Sequence, residues 1–132
     1  MRRFHEAKRQ GDAAVTIWGS GTPRREFLHV DDMADACVHL MRSYSGEMHV
    51  NVGVGEDLPI LELARKIAAV VGFTGQIELD RSKPDGTPRK LMDVSRIHAS
   101  GWRARIGLDE GIASTYRWYC EHEALLRHRN RT

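Results

Sequence analysis

Short runs of β-branched and aromatic residues alternate with longer stretches of helical periodicity, and this alternation constrains the fold of the chain more than any other feature. Four runs are typical of strands: AVTIW, EFLHV, HVNVGVG and QIELD, at positions 14–18, 26–30, 49–55 and 76–80. Stretches with apolar residues three and four positions apart lie before, between and after them. Because strands and helices alternate, the sequence predicts an α/β fold. The 132 residues leave room for one modest core.

Glycines and aspartates mark where the first two helices begin and end. The first helix ends near Arg9, before Gly11, but no capping residue precedes Met1, so we expect the chain to begin inside a helix. Asp31 is predicted to cap the second helix, whose buried face is expected to include Cys37 as a core residue and not a nucleophile. That face comprises Met33, Ala36, Cys37, Leu40, Met41 and Tyr44.

Three further helices are predicted after the third strand. Asp57 is expected to cap the first of them, with Pro59 in its first turn and Gly72 at its end. Its predicted buried face comprises Ile60, Leu63, Ala64, Ile67, Ala68 and Val71. A short helix is predicted to end at Gly101, and the last helix to run from about Leu108. One face of the last helix carries Leu108, Ile112, Tyr116 and Tyr119.

Composition and charge argue against several classes of protein. Hydrophobic residues make up 41% of the chain and charged residues 29%, as in ordinary globular domains. No apolar run approaches the ~20 residues of a membrane span, and no signal peptide is recognisable. Cys37 and Cys120 lack the spacing of a zinc site and predict a reduced, cytoplasmic protein without a metal. The net charge of +2 argues against a nucleic-acid partner, so the basic tail at 127–132 is interpreted as a solvated helix end.

Two glycine pairs suggest a phosphate loop, but neither completes one. GSG at 19–21 precedes TPRREF, which leads into a predicted strand, and the later GVG is followed by Glu56 and Asp57. A dinucleotide loop needs a third glycine and then a helix whose amino terminus faces the pyrophosphate, and acidic residues there repel phosphate. We therefore interpret Gly19 and Gly21 as parts of a turn between two strands and expect no cofactor-binding residue here.

Cations and one tryptophan flank the first glycine pair. Arg24 and Arg25 adjoin the start of a predicted strand, so their side chains point to opposite faces and at most one of them faces a given cleft. The planar fork of arginine suits phosphate, and Trp18 could supply a flat surface beside it. The alternative is a tryptophan at the edge of a core with two surface arginines.

The later loop KPDGTPRK has the same character. Lys83, Arg89 and Lys90 surround a tight turn with Asp85 at its corner. Such a turn can aim cations at a diphosphate and a carboxylate at sugar hydroxyls; the alternative is a solvated loop.

The histidines have no carboxylate or nucleophile at a recognisable spacing. His29, in a predicted strand, and the other six are therefore interpreted as structural or surface residues.

Three stretches together resemble the GDP-L-fucose synthases: IWGSGTPRREFLHVDDMADA, NVGVG and SKPDGTPRKLMDVSRI. The strand leading into HVDD is shared broadly across sugar-nucleotide epimerases and dehydratases, whereas SKPDGTPRK is far more specific to this family. Its members are extended short-chain dehydrogenase/reductases that epimerise and reduce GDP-4-keto-6-deoxymannose with NADP(H). The resemblance covers nearly the whole chain but only the carboxy-terminal part of the family. It implies an α/β substrate-binding part, residues 1–132, of an epimerase/dehydratase-type Rossmann protein without the amino-terminal Rossmann core.

The resemblance also implies which residues bind the substrate. Arg3, Trp18 and Arg25 match positions of the family that hold the GDP-sugar, and Arg25 occupies the matching place directly before EFLHV. Asp85 matches a substrate-contacting position, and Lys90 is expected to meet the diphosphate. These are the chemical types that a diphosphate, a ring and sugar hydroxyls require.

The catalytic residues of the family have no match in this sequence. A Ser and a Tyr-x-x-x-Lys pair serve the reaction in the family, and the residues four positions after Tyr44, Tyr116 and Tyr119 are Met48, Cys120 and Glu123. We therefore expect no catalytic residue here, no NADP(H) loop and no turnover by the 132-residue chain alone. Met1 matches an internal helix position of the family, which predicts a truncated or partial sequence.

Two alternatives stay open beside this part of a GDP-L-fucose synthase. The chain could be a stand-alone GDP-sugar-binding module, or part of another NAD-dependent nucleotide-sugar epimerase or dehydratase. Full-length members of the family are homodimers, while the composition and charge predict neither a membrane nor a nucleic-acid partner.

Overall fold

The computed structural model describes the backbone of residues 1–129 and the side chains of residues 1–126. The predicted basic tail, 127–132, lies outside the residues that are described in full. The helices are α1 (Arg2–Gln10), α2 (Val30–Ser43), α3 (Ile60–Val71), α4 (Ser95–Ala99) and α5 (Leu108–Arg129). The strands are β1 (Ala14–Trp18), β2 (Arg24–Arg25), β3 (Leu58–Pro59), β4 (Gln76–Asp80) and β5 (Arg89–Lys90).

The strands form two small sheets. In the first, β1 and β4 run parallel, with Ala14 opposite Gln76 and Trp18 opposite Asp80. In the second, β2 lies between β3, which is antiparallel to it, and β5, which is parallel to it. The predicted α/β class is confirmed, and the strands AVTIW and QIELD lie where the sequence predicted them.

The first core lies between the β1–β4 sheet and helices α1 and α3. Its buried residues are Phe4, Ala7, Val15, Ala64, Ala68, Val71 and Phe73. The rings of Phe4 and Phe73 meet edge to face with their centroids 5.6 Å apart, a favourable arrangement for aromatic pairs. The helical stripe predicted for α3 is confirmed in Ala64, Ala68 and Val71, which carry most of its burial, and Gly72 ends this helix as predicted.

The second core lies between α2, α4 and the segment before α5. Its buried residues are Ala36, Val94, Ile97 and Trp102. Asp32, which is also buried, accepts hydrogen bonds from the backbone N–H groups of Arg105 and Ile106 at 3.1 and 2.9 Å. Because a buried carboxylate needs such donors, Asp32 fixes the start of α2 against the segment that leads into α5.

The predicted strand EFLHV is wrong. Only Arg24–Arg25, just before it, pair as β2, and residues 26–29 lead directly into α2. The cap of α2 is His29 and not Asp31, because the His29 Nδ1 accepts a hydrogen bond from the Asp31 backbone N–H at 3.2 Å. Asp31 instead lies in the first turn, where a carboxylate interacts favourably with the helix dipole.

The buried face predicted for α2 is largely wrong. Cys37 is exposed, and so are Met33 and Met41, the latter 84% exposed. Ala36 alone of the predicted stripe is buried. The helix turns Asp32 and Ala36 toward the second core, and no part of the described chain covers the Met33–Cys37–Met41 side. The pattern predicted an apolar face correctly, but a periodicity cannot say whether this part of the chain covers it.

Two predictions around residues 49–59 are also wrong. The run HVNVGVG forms no strand within residues 1–129, because no strand of the described chain pairs with it, although Val50 and Val52 pack against the second core. The cap of α3 is Pro59, and Asp57 makes no helix cap. Its carboxylate instead binds two arginine side chains.

The remaining boundaries agree with the sequence. Gly11 ends α1, the short helix α4 stops just before Gly101, and α5 begins at Leu108.

None of the helices in the described part of the chain is long and apolar enough to cross a membrane. Within the same residues, no group of three His, Cys, Asp or Glu side chains is placed to hold a metal ion.

Candidate functional site

Two loops leave the β1–β4 sheet at the same edge and are tied together by one carboxylate. The Gly19 N–H donates to the Asp80 carbonyl at 2.9 Å, so the loops 19–23 and 81–88 start side by side. Asp85 then accepts hydrogen bonds from the Ser20 backbone N–H at 2.8 Å and from the Ser20 hydroxyl at 2.7 Å. We call these two loops, with β2 and β5, the loop cluster. The loop cluster contains three of the five predicted substrate residues, and a fourth, Trp18, ends β1 directly before the first loop; the three are Arg25, Asp85 and Lys90.

Trp18 ends β1 at the rim of the loop cluster. Its side chain is 70% exposed, although a tryptophan ring is one of the largest apolar surfaces that a protein can bury. The ammonium group of Lys83 lies 5.8 Å from the centre of the ring. The flat face and the neighbouring cation leave a surface that can pack against another ring and attract an anion.

The short sheet β3–β2–β5 sorts the cations of the loop cluster by face. Arg24 pairs with Arg89 and Arg25 with Lys90, so each pair shares one face and the two pairs point to opposite sides. This confirms the predicted separation of Arg24 and Arg25. The Arg25 guanidinium is held by hydrogen bonds from Nη1 to the carbonyls of Arg24 and Thr87, at 2.6 and 2.8 Å. Its remaining donors are available to a ligand.

The other face holds an ion-pair cluster that the sequence did not predict. Arg24 Nε donates to Asp57 Oδ1 at 2.7 Å, and Arg89 Nε donates to Asp57 Oδ2. The Asp57 side chain is only 2% exposed. Because its partners lie 33 and 32 residues away along the chain, no local spacing could reveal the cluster. It fixes β2 against β5 and thereby orients Arg25 and Lys90 on the opposite face.

Both glycine turns are filled by carboxylates. A Cβ atom at Gly19 would lie 2.3 Å from Asp85 Oδ1, and one at Gly53 would lie 2.3 Å from Glu26 Oε1. Glu26 also accepts from the Gly55 N–H at 2.7 Å and from the Met92 N–H at 3.1 Å. Because these acceptors occupy the backbone donors that a phosphate would need, neither turn fits a dinucleotide. The interpretation of Gly19 and Gly21 as residues of a turn between two strands is confirmed.

Arg3 lies apart from the loop cluster, on α1. Its Nη2 donates to the Thr16 carbonyl at 2.6 Å, and it lines a cavity of about 260 Å³ between α1 and β1. Thr16 precedes Trp18 by two strand positions, a separation of roughly 7 Å. The structure thus places Arg3 outside the loop cluster, against the middle of β1.

Comparisons with known proteins identify a family and several relatives that this chain resembles. The sequence model of the NAD dependent epimerase/dehydratase family matches residues 1–53. A putative GDP-L-fucose synthase 2 of Arabidopsis thaliana is 57% identical over 122 residues, which are 92% of this chain and 37% of that protein. The GDP-L-fucose synthase of Escherichia coli K12 is 52% identical over 96% of this chain and 42% of that protein. Residues 1–53 therefore resemble the NAD dependent epimerase/dehydratase family. The resemblance to GDP-L-fucose synthases is confirmed, and the chain spans about two fifths of these relatives, in their carboxy-terminal part.

Two solved structures of enzymes named for GDP-linked sugars share the fold. A GDP-L-fucose synthetase from Naegleria fowleri, bound to NADP, superposes with a TM-score of 0.87 at 25% identity, over 93% of this chain and 39% of that one. A GDP-6-OMe-4-keto-L-xylo-heptose reductase from Campylobacter jejuni superposes with a TM-score of 0.83 at 33% identity, over 92% of this chain and 46% of that one. The predicted epimerase/dehydratase fold class is therefore confirmed.

Asp57 and Asp85 are both held as carboxylates. The Arg89 guanidinium, with that of Arg24, lowers the pKa of Asp57 below its usual range, despite opposition from burial. The hydrogen bonds from the Ser20 hydroxyl and backbone N–H lower the pKa of Asp85 in the same direction. Asp85 therefore clamps the two loops, and its predicted contact with substrate stays a prediction.

We expect Asp57→Asn to flatten the acid dependence of stability. The pKa of Asp57 is lower in the folded than in the unfolded chain, so its contribution is present above the unfolded value of about 4 and lost as the pH falls through the folded value. The asparagine variant should be less stable than the parent at pH 7 but lose less free energy of unfolding between pH 7 and pH 3. Urea unfolding at both pH values measures this.

Asp12→Asn is the matched control, because Asp12 is exposed and lies outside the ion-pair cluster. It should leave the pH dependence as in the parent chain. Equal pH dependence in Asp57→Asn and the parent would mean that the two arginines do not stabilise the Asp57 carboxylate.

Proposed function

We propose that this chain is the GDP-sugar-binding part of a GDP-L-fucose synthase, which converts GDP-4-keto-6-deoxymannose to GDP-L-fucose with NADPH. The observation that carries the proposal is the shared face of Arg25 and Lys90, in a loop cluster whose rim carries the exposed ring of Trp18. Two cations on one face suit a diphosphate, and a ring at the rim suits the base or the sugar. The names of the relatives, GDP-L-fucose synthases of a plant and a bacterium, support the same substrate class.

Each predicted substrate residue then has a role that its surroundings allow. Arg25 and Lys90 bind the diphosphate, and Trp18 packs against a ring of the ligand. Asp85 joins the two loops through Ser20, and in this proposal its carboxylate also accepts hydrogen bonds from sugar hydroxyls. Arg3 adds a positive charge outside the loop cluster, against the middle of β1. Because both glycine turns are occupied by carboxylates, the NADP(H) of the reaction would bind to residues outside this chain.

A second candidate is a reductase of another GDP-sugar. The heptose reductase from Campylobacter jejuni and a GDP-L-colitose synthase of Yersinia pseudotuberculosis are each 33% identical to the chain. Both names contain a GDP-linked sugar, and the cations of the loop cluster would serve any of these ligands equally.

We also propose that the complete protein acts in the cytoplasm as a homodimer.

The test is calorimetric titration of the purified chain with GDP and GDP-mannose. We expect Arg25→Gln to weaken GDP binding by about tenfold, because the substitution removes the guanidinium charge that donates hydrogen bonds to the diphosphate. Guanosine, which lacks the diphosphate, should respond little to this substitution. Arg117→Gln, an exposed arginine on α5, removes the same charge far along the chain and should leave the affinity unchanged.

Two results would contradict the proposal. One is the absence of heat with both nucleotides on a sample that unfolds cooperatively. The other is an equal loss of affinity in Arg25→Gln and Arg117→Gln, which would indicate attraction to the overall charge and not to the loop cluster.

A further inference from the structure

A cavity of about 340 Å³ lies between α2 and the turn that follows α4. It shares no residue with the loop cluster. Three arginines line it, and we call it the arginine cavity: Arg42 comes from the end of α2, and Arg103 and Arg105 follow α4. Its volume falls within the range of sites that bind small molecules in proteins.

The arginine cavity carries more positive than negative charge. Its one carboxylate, Asp35, accepts hydrogen bonds from the Trp102 Nε1–H at 2.8 Å and from Arg105 Nη2 at 3.1 Å. Arg105 thus balances the charge of Asp35. Arg42 and Arg103 form no ion pair with any residue that the structure describes. Two guanidinium charges therefore line the cavity without a carboxylate partner.

The walls of the arginine cavity are fixed before any ligand arrives. Arg103 Nη1 lies 2.8 Å from His98 Nδ1, and because arginine has only donors, this nitrogen of His98 accepts. The Ser100 hydroxyl donates to the Ile97 carbonyl at 2.7 Å, so it accepts from His39 Nε2, 3.0 Å away. Trp102, 4% exposed, forms a rigid base. Fixed walls reduce the entropy that a ligand must overcome on binding.

We propose that the arginine cavity binds a phosphate group of a small phosphorylated metabolite. Unpaired guanidinium groups in a concave, polar site match the oxygens of phosphate, since each planar fork can donate to two of them. The Arg42 and Arg103 side chains bind the anion, while Arg105 is kept in place by Asp35. This site is separate from the one proposed for the GDP-sugar and does not depend on it.

Titration of the isotope-labelled chain with pyrophosphate and with inorganic phosphate, followed by NMR, tests the proposal. The indole N–H signals of Trp102 and Trp18 report the arginine cavity and the loop cluster separately, once Trp18→Phe and Trp118→Phe have assigned them. We expect pyrophosphate to shift the Trp102 signal with saturation. Arg103→Gln and Arg42→Gln should each weaken that response by about tenfold and leave the response of Trp18 unchanged.

Arg65→Gln is the matched control, because Arg65 is an exposed arginine on α3 that does not line the cavity. An unmoved Trp102 signal at millimolar pyrophosphate, or an equal effect of Arg65→Gln, would overturn the proposal. A silent Trp18 signal with GDP would count against the proposed function alone. The Arg42 side chain makes no hydrogen bond or ion pair with the residues that the structure describes, so its variant should fold even where Arg103→Gln disturbs His98.

Discussion

Replacing Ile97 with alanine is expected to lower the free energy of unfolding by about 2–5 kcal/mol. Ile97 is fully buried in the second core, between Val94, Ala36 and Trp102, and its truncation leaves a cavity beneath the indole. The surrounding buried and partly buried side chains relax only partially into such a space. For a domain of marginal stability this loss is a large share of the total. Urea unfolding followed by tryptophan fluorescence measures it.

Met41→Ala is the control for this substitution. Met41 is 84% exposed on α2, so its truncation should change the free energy of unfolding by no more than about 0.5 kcal/mol. Ile97→Val, which removes one methyl group, should fall between the two at about 0.5–1.5 kcal/mol. If Ile97→Ala cost no more than Met41→Ala, the second core would not be part of the cooperative unit that stabilises this chain.

The sequence predicted best the elements whose partners lie within the chain. AVTIW and QIELD pair with each other, and the stripe of α3 packs against α1 and the sheet, so pattern and burial agree. EFLHV and HVNVGVG have equally strong β patterns but find no partner strand in the described residues, and they stay irregular. A strand propensity states what a segment can do beside a partner, and only the sheet supplies that partner.

The sequence also predicted some features of the candidate site and not others. Strand alternation predicted that Arg24 and Arg25 point apart, and the structure confirms it. The roles of Asp57 and Glu26 were out of reach, because each contacts residues about thirty positions away along the chain. The capping rule favoured Asp57 locally, but the ion pair with Arg24 and Arg89 and the proline at the helix start prevailed.

Gly21→Ala is expected to destabilise the chain by about 2–5 kcal/mol, as the sum of two separate costs. Gly21 has a φ of +72°, which alanine adopts at a cost of about 1–2 kcal/mol. The new Cβ would also lie 2.9 Å from the Leu61 Cβ, which cannot swing aside as the end of a long side chain can. The turn cannot retreat freely either, because its carbonyl accepts from the Leu61 N–H at 2.9 Å. This crowding adds about 1–3 kcal/mol.

Gly11→Ala separates the two costs, because Gly11 has nearly the same φ of +71° but no atom within 4 Å of a new Cβ. It should carry the backbone cost alone, so the difference in unfolding free energy between the two variants measures the crowding at Leu61. In Gly21→Ala the crowding against Leu61 should also push the turn outward and move Ser20 away from Asp85, which should weaken GDP binding. Gly11→Ala should leave GDP binding unchanged. Equal stability of the two variants would show that the turn relaxes away from α3. Unchanged GDP binding in the crowded variant would show that the Ser20–Asp85 contact does not shape the binding surface.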